Sequence, residues 1–184
     1  MNHVLILGGT GMLLKATKWL DEKADSTVVY GRQIHKDPWL LQRSNQDDGF
    51  IFSELDYKDI GHLKASIREA ISANGPVDYV VAWIHGTEPN ALHTILAELN
   101  MLQNEQYRLF HIKGSASKDP KGIQNKMNIP ENCLYRDVIL GFCIEGQQSR
   151  WLTHAEISAG VIEAIEFDAQ TKVIGTVTPW ERKP

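Results

Sequence analysis

Glycines at positions 8, 9 and 11 follow directly on the apolar run Val4-Leu5-Ile6-Leu7, and an apolar helical pattern begins behind them. A strand that turns into a helix through glycines gathers free backbone N–H groups and the positive end of the helix dipole at one point. That arrangement suits an anion such as a pyrophosphate. Gly8 allows the tight turn off the strand. Gly11, without a Cβ, lets a phosphate approach the helix N-terminus, and Thr10 adds a hydroxyl beside it. The spacing is G-x-x-G-x-x-L, with Leu14 in the third place. It is not G-x-G-x-x-G, and no Gly-Lys-Ser/Thr follows, so a P-loop is excluded. The alternative is a glycine turn that joins a strand to a helix and holds nothing. Its place after the first strand of a repeating β/α pattern favours the ligand.

Other chemistry is sparser. His85 and His111 fall at the carboxyl ends of predicted strands, the edge on which open α/β sheets bind ligands. Either would serve as a proton donor there, and the alternative is a histidine satisfied by hydrogen bonds. No histidine pair has the helical spacing of metal ligands, so no metal is expected. No G-x-S-x-G elbow anchors a hydrolase triad. The two cysteines, Cys133 and Cys143, lack metal spacing and read as reduced, buried thiols, which fits a cytoplasmic protein. The 19 basic and 23 acidic residues are spread along the chain, with no basic block or aromatic-basic face for nucleic acid. The longest apolar runs have strand length, so no membrane span is expected. Met1-Asn2-His3 leads straight into a strand pattern without the layout of a signal peptide.

The elements that position these residues alternate between two periods. Strand-like runs occupy 4–8, 27–31, 50–55, 78–83, 107–112, 134–142 and 173–178. Helical patterns fill 11–22, 59–73, 90–101 and 154–167, the last with Thr153 and Glu156 spaced as a capping box, and Asp59 is placed to start the second. Residues 33–49 read as a loop with a stub of helix at Trp39-Leu40-Leu41, and 113–132 as a polar, broken connection. Strands alternating with helices over 184 residues predict a single α/β domain. It is a doubly wound, mostly parallel sheet of about seven strands, a Rossmann fold.

The stretch LILGGTGML resembles the cofactor turn of the short-chain dehydrogenase/reductase superfamily, nearest its extended and atypical branches, which carry G-x-x-G-x-x-G. The resemblance covers roughly 3–112 and, more loosely, the last two strands. It implies that Gly8, Thr10, Gly11, Met12 and Leu13 bind a dinucleotide. It also implies that Leu14, in place of the third glycine, pushes the first helix outward. Arg32, where NAD-binding members have an acidic residue, implies a guanidinium fork for a 2′-phosphate and so NADP, with NAD as the alternative. Asp56 matches the aspartate placed against the adenine, with Tyr57 beside it. Trp83 stands at the end of the fourth strand, where the backbone passes the ribose.

The same resemblance calls for a Tyr-x-x-x-Lys pair, and the chain has none. Tyr30, Tyr57, Tyr79, Tyr107 and Tyr135 are followed four residues on by Ile34, Gly61, Trp83, His111 and Ile139. The catalytic candidates that remain are Ser115 (or Ser117) after the fifth strand and His85 (or His111), with Lys113 or Lys118 in reach of a phosphate or a carbonyl. Two readings stand. One is an NADP-dependent oxidoreductase that moves hydride to or from a small carbonyl or alcohol. The other is a non-catalytic NAD(P)-binding sensor. A pocket edge blocked by Trp83 would favour the sensor. A small-molecule substrate and a homo-oligomer are the expected partners.

Overall fold

The computed structural model describes residues 1–32, 37–84, 89–114 and 127–184. Seven strand runs form one parallel sheet, the most apolar of them in its middle. These are β1 (His3–Leu7), β2 (Ser26–Gly31), β3 (Phe50–Glu54), β4 (Tyr79–Ala82), β5 (Tyr107–Gly114), β6 (Cys133–Leu140) and a last strand, β9 (Thr171–Ile174). Their order is β3-β2-β1-β4-β5-β6-β9, with every pairing parallel. β1 is buried along its whole length because both faces are covered. The chain winds outward from β1 to β3, returns to β4 and winds the other way, so the switch point lies between β1 and β4. The glycine turn sits at the carboxyl end of that gap.

Among the described residues five α-helices cover the two faces: α1 (Leu14–Asp21), α2 (Pro38–Arg43), α3 (Ile60–Asn74), α4 (Pro89–Leu102) and α5 (His154–Glu166). Leu63, Ile67, Ile95 and Leu99 of α3 and α4 pack on one face. Leu13, Leu20, Leu40, Val161 and Ile165 join α1, α2 and α5 on the other. The helix starts follow local chemistry. Asp37 and Asp59 accept from the backbone N–H groups of Trp39 and His62, and Thr153 with Glu156 forms the expected capping box. No described helix is long and apolar enough to cross a membrane.

Three of the boundaries that differ from the sequence reading bear on the site. α1 starts at Leu14 rather than 11, because 11–13 belong to the glycine turn. The run at 134–142 is two strands, since β6 stops at Leu140 and Phe142 begins a hairpin of β7 (Phe142–Glu145) and β8 (Gln148–Trp151). The last strand stops at Ile174 rather than 178. One crossing explains the second and third differences. Phe142 and Thr176 exchange both backbone hydrogen bonds, and a Cβ on Gly141 would lie 2.1 Å from the Thr176 carbonyl oxygen. Two chain segments meet there in contact, and both leave the sheet.

Candidate functional site

The glycine turn is fixed from three sides. Gly8 adopts φ +79°, donates its N–H to the Tyr30 carbonyl, and would drive a Cβ to 2.5 Å from the Trp83 carbonyl oxygen. Gly9 is pressed against α1. A Cβ there would meet Thr17 Oγ1 at 2.6 Å, and the Thr17 hydroxyl donates to the Gly9 carbonyl at 2.9 Å. From α5, the buried Ser158 hydroxyl donates to the Met12 carbonyl at 2.7 Å. Gly31, closing β2, makes room for Thr10, whose methyl would lie 2.8 Å from a Cβ at that position. The close approach of helix to strand is therefore made at Gly9. Leu14, expected to push the helix outward, is simply its half-buried first residue.

Gly11 differs from its neighbours. It is exposed, its φ is not positive, and a Cβ on it would meet no protein atom within 4 Å. Nothing inside the protein requires glycine there, while a phosphate drawn to the first turn of α1 would need that space. This first turn has no acidic side chain and Leu13 caps it without a side-chain hydrogen bond; the Leu14 N–H donates to the Gly11 carbonyl at 3.0 Å, which leaves the following N–H groups, of Lys15 and Ala16, for an anion. The residues present therefore fit a dinucleotide phosphate. Leu13 itself is fully buried in the core, so only its backbone faces the turn.

The remaining candidates line up along the same sheet edge. Arg32 follows β2 directly and is exposed. Asp56, after β3, is exposed and accepts from the Lys58 N–H at 3.1 Å as a turn aspartate does. Tyr57 is half-buried and donates to the Tyr30 carbonyl at 2.9 Å. Burial pushes its phenol up to about 12, so it is a brace between strand ends rather than an acid. Trp83, after β4, lies along the edge. Its Cδ1 would be 3.3 Å from a Cβ on Gly8 and its Cη2 3.6 Å from one on Gly114, so the indole reaches from the end of β1 to the end of β5.

Beyond that indole a cavity of about 240 Å³ opens. Met12 and Trp83 form the end beside the glycine turn, and Gly114, Leu140 and Gly141 form its back at the ends of β5 and β6. Trp151 and Leu152 of the hairpin arm, with Ile157 of α5, form the far wall. Trp83 is part of the cavity lining and spans the edge between the ends of β1 and β5. The lining carries no acid or base among the described residues.

His85 and Ser115, with Ser117 and Lys118, lie outside the described residues. His111 is described, and its placement is corrected: β5 runs on to Gly114, so His111 is interior to the strand. It is buried with Nδ1 at 2.6 Å from the Tyr135 hydroxyl. Burial, with the Lys113 ammonium nearby, pushes its pKa down to about 4. Lys113 is also buried and ion-paired with Asp137, so it reaches neither phosphate nor carbonyl. Cys133 is buried and Cys143 half-buried, and both are free thiols. The braces Gly9, Thr17, Gly31 and Ser158 were not found from sequence. Gly9 carried a signal within the motif, but Ser158 acts across 146 residues and carried none.

No family model matches the chain, and no curated protein matches it in sequence. Solved structures do match in shape. A short-chain dehydrogenase/reductase variant from Serratia marcescens superposes with a TM-score of 0.66 at 13% identity, over 95% of this chain and 96% of that one. A beta-ketoacyl-[ACP] reductase from Bacteroides thetaiotaomicron gives 0.66 at 13% identity, over 96% and 98%. An NADH-dependent reductase in complex with NAD gives 0.67 at 9% identity, over 95% of each chain. The chain has the Rossmann fold of the short-chain dehydrogenases and reductases.

Proposed function

We propose that the protein is an NADP(H)-dependent oxidoreductase of the short-chain dehydrogenase/reductase type, acting on a small carbonyl or alcohol. The observation that carries this reading is the cavity that opens beside the glycine turn at the carboxyl ends of β5 and β6, with Met12 and Trp83 in its lining. A dinucleotide laid across that edge would put its phosphates at Gly8 to Leu13 and its adenosine half toward Arg32 and Asp56. Its nicotinamide would then meet Met12 and Trp83. Arg32 is a fork suited to a 2′-phosphate. The nicotinamide, when bound, supplies or accepts the hydride, and a carbonyl reduced in this way also takes up one proton at oxygen. His85 and Ser115 are the residues proposed to supply or orient that proton. The likeness to an NAD-bound reductase supports the cofactor class and leaves NAD as the alternative.

A second reading, a non-catalytic NAD(P)-binding sensor, is favoured by one fact: no Tyr-x-x-x-Lys pair exists and no described acid or base lines the cavity. Titration with NADPH and NADH, followed by nicotinamide fluorescence, tests the shared part. The expected result is micromolar binding of NADPH, weakened roughly ten-fold in Arg32→Ala with NADH unaffected, as loss of one charge-assisted contact predicts. Binding of neither nucleotide would reduce GGTGMLL to a turn. Given binding, turnover of any carbonyl that is lost in His85→Ala or Ser115→Ala identifies the enzyme.

A further inference from the structure

We infer that Ser158 of α5 is a positioning residue for the dinucleotide phosphates, acting through the Met12–Leu13 peptide. The inference rests on the reading above and deepens it, because it names what aims the glycine turn at its ligand. A trans peptide is planar, so its carbonyl and the N–H of the next residue point in opposite directions. Met12–Leu13 is such a peptide. The Ser158 hydroxyl donates to the Met12 carbonyl at 2.7 Å, which holds that oxygen toward α5 and turns the Leu13 N–H away from it.

Two neighbouring peptides of the turn are set in the same way. The Gly9 carbonyl accepts from the Thr17 hydroxyl at 2.9 Å, and the Gly11 carbonyl accepts from the Leu14 N–H at 3.0 Å. The N–H groups of Thr10 and Met12 are thereby held opposite to those donors. Three carbonyl dipoles are drawn onto protein donors, so an anion at the turn is spared their repulsion. Two of the donors belong to the turn or to α1. Ser158 comes from 146 residues further along the chain, so its hydroxyl can be removed without altering either.

The Met12 carbonyl depends on this donor for its direction. The helical ladder of α1 begins one residue later, where the Thr17 N–H bonds to the Leu13 carbonyl at 2.8 Å. Ser158 is itself held firmly. It is buried, the capping box of Thr153 and Glu156 fixes the start of its helix, and Gly160 brings that helix onto β9, where a Cβ would lie 2.6 Å from Ile174. A donor locked by packing on a helix sets its partner more narrowly than one on a loop. Ile157, next to Ser158, lines the cavity together with Met12, so one helix carries a wall of the cavity and the donor that aims the turn.

The test uses the full chain and the more tightly bound of NADP⁺ and NAD⁺. It combines calorimetric titration, urea unfolding and the backbone amide spectrum of ¹⁵N-labelled protein. Ser158→Ala replaces the serine by a smaller residue that is a better helix former, so the fold is expected to stand. Nucleotide affinity should fall about five- to ten-fold, the size of one hydrogen bond. In the wild-type protein the nucleotide should move the Leu13 amide proton downfield, as a charge-assisted hydrogen bond does. At saturating nucleotide that movement should shrink to about half or less in Ser158→Ala, the mark of a peptide no longer held in one plane. A purely structural serine would lower the urea midpoint and leave the affinity and the Leu13 signal as they were. An unchanged affinity in Ser158→Ala, a Leu13 amide that the nucleotide does not move, or one moved equally in both proteins would each overturn the inference while the cofactor reading stands. Binding of neither nucleotide by the wild-type protein would overturn the cofactor reading and the inference together.

Discussion

At the scale of single residues, the turn contains glycines of two kinds, and mutation separates them. Gly9 is required by the protein itself, since Thr17 Oγ1 and Ile6 Cγ2 would lie 2.6 and 2.8 Å from its Cβ. Gly11 has open space around it and no left-handed backbone. Gly11→Ala is therefore expected to leave the fold intact and even raise stability by about 0.4–1 kcal/mol through the stiffer unfolded chain. In the same protein NADPH affinity should drop ten-fold or more, because the methyl occupies the phosphate approach. Gly9→Ala should destabilise by about 1–3 kcal/mol, the usual cost of overpacking. Urea unfolding beside NADPH titration of both variants checks the pair. An Ala at 11 that destabilises the fold and leaves NADPH binding intact would make Gly11 a structural glycine. Sequence alone located the strand-to-helix turn but gave Gly9 no role. The demand on it comes from Thr17 returning over the turn, and spacing to Leu14 does not express that.

At the scale of elements, what was legible is what local chemistry decides. The capping box at Thr153 and Glu156 and the cap at Asp59 each depend on a contact three residues away, and both were read from sequence and found. The β7–β8 hairpin was missed because its cause is not local. Leu134 to Phe142 reads as one apolar run, and it is divided only by the crossing with Thr176, far along the chain. The two-residue turn at Gly146 and Gln147, with Gly146 at φ +62°, was the available signal, a glycine-first hairpin loop. The hairpin is pinned by Arg150, which donates to Glu145 at 2.7 Å and to both oxygens of Glu156 at the start of α5. Exposed ion pairs add little to global stability. Arg150→Ala should accordingly lower the urea midpoint only slightly, yet speed amide exchange across 142–151, where opening is local. Unchanged exchange there would mean that the Phe142–Thr176 crossing alone holds the cavity wall.

At the scale of the whole molecule, the doubly wound order followed from the alternation of periods and from right-handed crossovers, and the structure has it. Periodicity did not show that the sheet buries two histidines. His3 of β1 is fully buried, with its Nδ1 at 2.9 Å from the Gly75 carbonyl, and burial lowers its pKa despite Asp78 nearby. His111 of β5 is pushed down to about 4 among Tyr135, Lys113 and Asp137. Above pH 6.5 both are neutral, folded or unfolded, and stability does not depend on them. Below it the unfolded chain takes up protons that the folded sheet refuses, so stability falls as pH falls. For His111 the loss approaches about 1.4 kcal/mol per pH unit, and His3 adds to it in the same direction. For His111 it ends near pH 4, after roughly 3 kcal/mol. Urea unfolding between pH 7.5 and 5, above most of the carboxylate range, should show flat stability down to about 6.5 and then a decline. His111→Asn, whose amide can pair with the Tyr135 hydroxyl as donor or acceptor, should remove close to one proton from that slope and leave the share of His3. An unchanged slope in the variant would show that His111 takes its proton in the folded sheet. It would then be a basic group available near neutral pH, and its exclusion from the chemistry of the site would no longer hold.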